Sequence, residues 1–209
     1  MEEYNPPTKA LKLLKEGNER FVNNLSVNRN LMEDARSTSE GQEPIAVVLS
    51  CLDSRSSADI IFDQPIGGVF SARVAGNIVN DDILGSMEFA CELSTAKLIL
   101  VLGHSDCGAV KGAIGDPSDD VAEIEMNNLI NLLEKIKPAM NAVTKPKPQN
   151  ERNNKNRKFV DNVTKENVIL TIENIRKGSR TLLNLEKSGE IMIVGGIHNL
   201  SDGTIKYIK

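Results

Sequence analysis

Two short segments hold side chains that can do chemistry together: Cys51-Leu52-Asp53-Ser54-Arg55 and Gly103-His104-Ser105-Asp106-Cys107-Gly108. Between them they offer two thiols, one imidazole, and a carboxylate two residues before a guanidinium. Thiolates and imidazole are the ligands zinc favours, in tetrahedral geometry. His104 and Cys107 are three residues apart, so in a helical turn they face the same way. Cys51 must come from elsewhere in the fold. If the strands that carry the two segments are neighbours, all three groups converge and the set can make a zinc site. The Asp53–Arg55 pair beside it suggests a site with a switchable position.

The remaining cysteine and histidine read differently. Cys91 follows Phe89 and Ala90 in a helical pattern with no ligand neighbour, and reads as a core cysteine. His198 follows Gly195-Gly196-Ile197 and reads as structural or surface, with proton transfer as the functional option. Three cysteines make no disulfide framework, and in a reducing compartment cysteine points to metal binding or catalysis.

The elements that must position these groups follow from the apolar pattern. Ile45-Ala46-Val47-Val48-Leu49, just before Cys51, is a continuous apolar run, as in a strand buried on both faces. Gly68–Val74 is a second strand. Asn80 or Asp81 caps a helix to about Leu93, and Lys97–Leu102 is the strand before His104. A helix from about Val121 to Ile136, ended by Pro138, and helices over roughly 157–176 and 179–187 lead to strand Ile191–Val194. A final strand, Gly203 to Ile208, returns as an antiparallel hairpin. Strands alternating with helices imply an α/β fold. We expect a mostly parallel sheet of about four strands plus the antiparallel C-terminal strand, flanked by helices. Ligands of such sheets lie at the carboxyl ends of strands, where Cys51 and His104 fall.

Pro7 to Leu25 is an amphipathic helix, with Leu11, Leu14, Phe21, Val22 and Leu25 on one stripe and Pro6 and Pro7 suited to its first turn. A polar connector reaches Pro44. The helix is expected to project, and its stripe to need a surface other than its own core. We expect one domain over residues 1–209, with 1–44 as its helical arm and connector.

Composition narrows the function classes. The 209 residues are 40% hydrophobic with a net charge of −4, a globular balance with no general pull toward nucleic acid or anionic membrane. The basic stretch Lys145–Lys158, rich in Pro and Asn, reads as a solvated loop. No apolar run is long enough to span a bilayer. The acidic N-terminus lacks the features of an export signal, so the cytoplasm is expected, or the periplasm if a signal has been removed.

Taken together, the segments resemble those of the β-class carbonic anhydrases. The likeness extends over Leu14–Phe21, Cys51–Arg55, Arg73-Val74-Ala75-Gly76-Asn77, Asp82–Ser86, Gly103–Ala109 and Asn167-Val168. It implies one zinc ion per chain on Cys51, His104 and Cys107, with water in the fourth position. The implied reaction is reversible hydration of carbon dioxide to bicarbonate and a proton by a zinc-bound hydroxide. Asp53 would accept the hydroxide's hydrogen bond and Arg55 would hold Asp53. In a closed state Asp53 itself becomes the fourth ligand. The resemblance further implies that Gln64 donates to substrate, often from the neighbouring subunit. Ala75 and Gly76 would bring backbone close to the pocket. It also implies a homodimer or homotetramer in which the N-terminal helix embraces its partner. Gly68 departs from the family pattern, as do His198, Asn199 and Asp202, which puts a regulatory bicarbonate pocket in doubt. Three alternatives stay open: a zinc hydrolase of carbonyl sulfide or carbon disulfide, a non-catalytic protein with a closed zinc site, and a thiol redox protein.

Overall fold

The computed structural model describes residues 6–115, 126–146 and 148–208. Helix α1 (Pro7–Val22) and a short α2 (Leu31–Ser37) precede strand β1 (Ala46–Ser50). Helix α3 (Ala58–Ile61), strand β2 (Val69–Arg73), a 3-10 turn (Ala75–Asn77) and helix α4 (Asp81–Glu88) follow. Strand β3 (Leu98–His104) and helix α5 (Gly108–Ile114) come next. The helices Asn127–Glu134, Lys137–Ala142, Arg157–Gly178 and Arg180–Ser188 then lead to β4 (Met192–His198) and β5 (Ile205–Ile208).

The five strands lie in the order β2-β1-β3-β4-β5. All pairs are parallel except β4 with β5. The apolar runs are continuous because both sheet faces are covered. In β1, Val47 and Leu49 join one core with Met87, Ile99, Val101, Val168 and Ile172. Ala46 and Val48 join the other with Leu98, Leu100, Ile61 and Phe62. Cys91 lies in the first core, 3% exposed, and burial pushes its thiol up to about 12, as suits a packed, unreactive side chain. No helix among the described residues is long and apolar enough to cross a membrane.

Four local expectations need correction. The first part of the α1 stripe does not depend on a partner: Leu14 is fully buried against this chain's own sheet, and Leu11 and Phe21 pack on the same core. The end of the stripe stays exposed at Val22 and Leu25, as do Val27, Leu31 and Met32 beyond it. The polar connector contains α2, capped by the Asn30 side chain on the Glu33 amide. Of the helix expected from Val121, residues 121–125 lie outside the described residues, and Pro138 occupies the first turn of the next helix. Finally, β4 continues through Gly195 and Gly196 to His198. A Cβ at Gly195 would lie 2.7 Å from Val168 Cγ1, so the glycine lets the helix Arg157–Gly178 approach the strand closely.

Candidate metal centre

Because β1 and β3 pair in parallel, with Ser50 opposite Leu102, the residues that follow both strands emerge at one edge of the sheet. Cys51 leaves β1 there, His104 ends β3, and Cys107 stands at the N-cap of α5. Asp106 turns the chain between His104 and Cys107 with φ +58°. The three ligand atoms lie within 4.8 Å of one another, with the two sulfurs 4.0 Å apart. All three residues are buried, on an apolar cluster that includes Val110, Ile136, Phe159 and Val163.

The donor atoms are prepared to hold a cation. His104 Nδ1 pairs with the Ser105 carbonyl at 3.0 Å, so Nδ1 carries the proton and the lone pair is on Nε2. That Nε2 is buried and makes no hydrogen bond. The Cys107 thiol, then the imidazole of His104 and the Gly76 amide, outweigh burial and hold Cys51 far below the usual thiol range. The same contact, together with burial, pushes Cys107 up. Burial opposes charge on His104, yet the Cys51 sulfur, the Ser105 carbonyl and Asp53 together raise its pKa. Positive charge is therefore favoured at the centre of the cluster. These residues could hold a metal ion.

A shell of backbone and side-chain contacts fixes the β1 turn. The Gly76 amide points at Cys51 Sγ from 3.4 Å, and the Gly76 carbonyl accepts from Asn167 at 2.7 Å. Gly76 has φ +68°, and a Cβ there would meet Ile136 Cδ1 at 2.5 Å, so both conformation and space demand glycine. Arg73 donates to the carbonyls of Cys51 (3.2 Å) and Asp53 (2.5 Å). Asp53 accepts from Arg55 at three points: the backbone amide (2.9 Å), Nε (3.0 Å) and Nη2 (2.7 Å). That guanidinium holds the Asp53 carboxyl well below the usual carboxylate range. Its Oδ2 lies 4.0 Å from His104 Nε2.

Gln64 is not brought to this edge by its own chain. It lies between α3 and the start of β2, bonded to the Phe62 carbonyl at 2.7 Å, and lines a cleft with Val27, Arg29, Leu31 and Asp63. Ala75 opens the 3-10 turn that presents Gly76. The role of Arg73 has no signal in residue spacing, because it donates to backbone carbonyls about twenty residues away that only the fold brings near. Of the two bland readings of His198, structural and surface, burial favours the structural one. It is 3% exposed at the end of β4, and burial, then the neighbouring His104, lowers its pKa.

A family model for carbonic anhydrase matches residues 46–205. The chain is 34% identical over 198 residues to "Carbonic anhydrase 2" of Mycobacterium tuberculosis, covering 94% of this chain and 90% of that protein. Its fold is similar to that of the β-carbonic anhydrase CcaA, with a TM-score of 0.73 and 24% identity over 95% of each chain. It is also similar to a structure described as a tetrameric β-carbonic anhydrase of Sordaria macrospora. There the TM-score is 0.67 and the identity 22%, over 85% of this chain and 90% of that one.

Proposed function

The chain belongs to the β-carbonic anhydrase family, and from that membership we propose that it hydrates carbon dioxide reversibly to bicarbonate and a proton with one zinc ion per chain on Cys51, His104 and Cys107. The observation that carries this reading is the convergence of the two thiols and Nε2 of His104. Two zinc–sulfur bonds of about 2.3 Å at the tetrahedral angle would separate the sulfurs by about 3.8 Å. The separation of 4.0 Å between Cys51 and Cys107 fits that figure. Zinc supplies Lewis acidity, which makes water a nucleophile at accessible pH.

The chain's own residues supply orientation. Asp53 is ionised throughout the working range, so it acts as a hydrogen-bond acceptor for the attacking water and not as the store for its proton. Arg55 keeps Asp53 in that role by occupying both carboxylate oxygens. This pairing supports the working site over the closed one, in which Asp53 would leave Arg55 for the metal. Arg73 holds the turn by its carbonyls, and the Gly76 amide stabilises negative charge on Cys51. The apolar cluster beneath the ligands excludes water from their inner side.

We read residues 1–209 as one domain, with 1–44 as its arm, and place the protein in the cytoplasm on its free thiols. A homodimer at least is supported by the exposed apolar residues Leu25, Val27, Leu31 and Met32, and by Phe89 and Leu93 on another part of the surface. If Gln64 meets substrate, it does so in a partner's site. Metal analysis and stopped-flow hydration of carbon dioxide test the proposal, with carbonyl sulfide and carbon disulfide as competing substrates. Stoichiometric zinc and carbon dioxide turnover are expected. Absence of carbon dioxide hydration in zinc-loaded protein would overturn it.

A further inference from the structure

The second histidine of the chain has a place that its sequence neighbours do not suggest. His198 ends β4 in register with His104 at the end of β3. Its carbonyl accepts from the Ser105 amide at 2.9 Å, and the Ser105 hydroxyl accepts from the Leu200 amide at 3.0 Å. Its Nδ1 is 2.7 Å from Ser56 Oγ, in the turn after β1. Ser56 is 1% exposed and closes the Asp53 turn, its amide donating to the Asp53 carbonyl at 3.0 Å. One residue thus touches the turn that follows the Cys51–Arg55 segment and the His104–Cys107 segment.

The connection cannot be made by the sheet. β3 lies between β1 and β4, so no ladder hydrogen bond joins the β1 turn to β4. The Asp53–Arg55 pair is a weak anchor by itself, because the Arg55 side chain is 59% exposed and solvent screens the interaction. The Ser56–His198 bond is dry, and losing either partner leaves a buried polar group unsatisfied.

We propose that His198 is a positioning residue: through Ser56 it pins the Cys51–Arg55 turn in the geometry that keeps Asp53 on Arg55 and available to the attacking water. The proposal rests on the role given to Asp53 above. It acts on the orientation of the carboxylate and not on metal affinity.

The test compares Ser56→Ala, His198→Phe, the double variant and Ser56→Thr with the wild type, by crystal structure, zinc content and separate kcat and KM. Ser56→Ala removes a single oxygen atom and carries the test alone if His198→Phe does not fold. In Ser56→Ala the Arg55–Asp53 side-chain bonds are expected to be lost. Its kcat falls about tenfold or more at unchanged KM and zinc content, the signature of lost orientation. Ser56→Thr, which keeps a hydroxyl, recovers most of that loss. The double variant is no worse than the poorer single one, because both remove one interaction. An unmoved Asp53 with kcat within about twofold of wild type in Ser56→Ala, or losses that simply add in the double variant, would overturn the pin. A wild type without carbon dioxide turnover would instead overturn the functional reading, and the crystallographic comparison would still decide the pin.

Discussion

Asp53 and Arg55 are joined by two side-chain hydrogen bonds of 3.0 and 2.7 Å and a third, of 2.9 Å, from the Arg55 amide. The oxygen that takes the 2.7 Å bond is also the one 4.0 Å from His104 Nε2. One carboxylate oxygen therefore lies between the guanidinium and the imidazole of the candidate centre.

Arg55→Ala should release that carboxylate. We expect kcat to fall about a hundredfold, the scale of a misplaced orienting group, with zinc content retained. Stopped-flow kinetics and metal analysis on the same sample check both halves. Full activity in this variant would remove Arg55 from the mechanism.

The pH profile should show no acidic limb from Asp53 above pH 5. Its pKa is depressed, so it stays ionised as pH falls through the range where an ordinary carboxylate begins to protonate. Activity should instead rise above neutral pH. Two thiolates would cancel the charge of a bound zinc ion, which would weaken the acidification of water relative to an all-histidine site. A profile of kcat from pH 5 to 9 decides this, and a flat or falling profile above neutral pH contradicts it.

Asp63 holds the first helix and the connector together. It is 4% exposed and binds Arg20 and Arg29 at 2.5 Å each, with the Val27 amide at 3.3 Å. Burial opposes its ionisation, but the two guanidinium groups and the Val27 amide lower its pKa overall. A depressed carboxylate stabilises the fold above its unfolded pKa of about 3.9, and that contribution is lost as pH falls through the folded value. Asp63→Asn should cost about 3 kcal/mol at pH 7 by leaving two arginines without their anion. Denaturant melts should show the gap to wild type narrowing below about pH 4.

Gly76→Ala should destabilise the protein by about 1–3 kcal/mol, from the strain of φ +68° and the 2.5 Å approach of its Cβ to Ile136. It should also weaken zinc retention, because the Gly76 amide supports the Cys51 sulfur. Thermal melts and a competitive chelator titration read the two effects separately. A variant with unchanged zinc affinity would show that the amide contact is incidental.

Much of this was legible in the chain itself. The continuous apolar runs before Cys51 and His104 specify strands covered on both faces, because alternation disappears when neither face meets water. Asn80 was readable as a cap, and its side chain accepts from the Ile83 amide at 3.0 Å. The connector helix α2 was not, because a seven-residue helix held by one cap has no apolar period to show. The end of β4 is not legible, because Gly195-Gly196 interrupts the apolar run after Val194, whereas in the fold Gly195 admits a helix against the strand.

Residue type and spacing alone determined which atoms can hold a metal: two thiols, an imidazole and a neighbouring Asp–Arg pair are chemistry whatever their coordinates. Tertiary structure decided the rest. Parallel pairing of β1 with β3 brought Cys51 beside Cys107, and the reach of His198 across β3 joined the two segments. Side-chain geometry placed Asp53 on Arg55. The physical reason is range: ligand preference belongs to each side chain, while distance between residues far apart in the chain exists only once strand order and register are set.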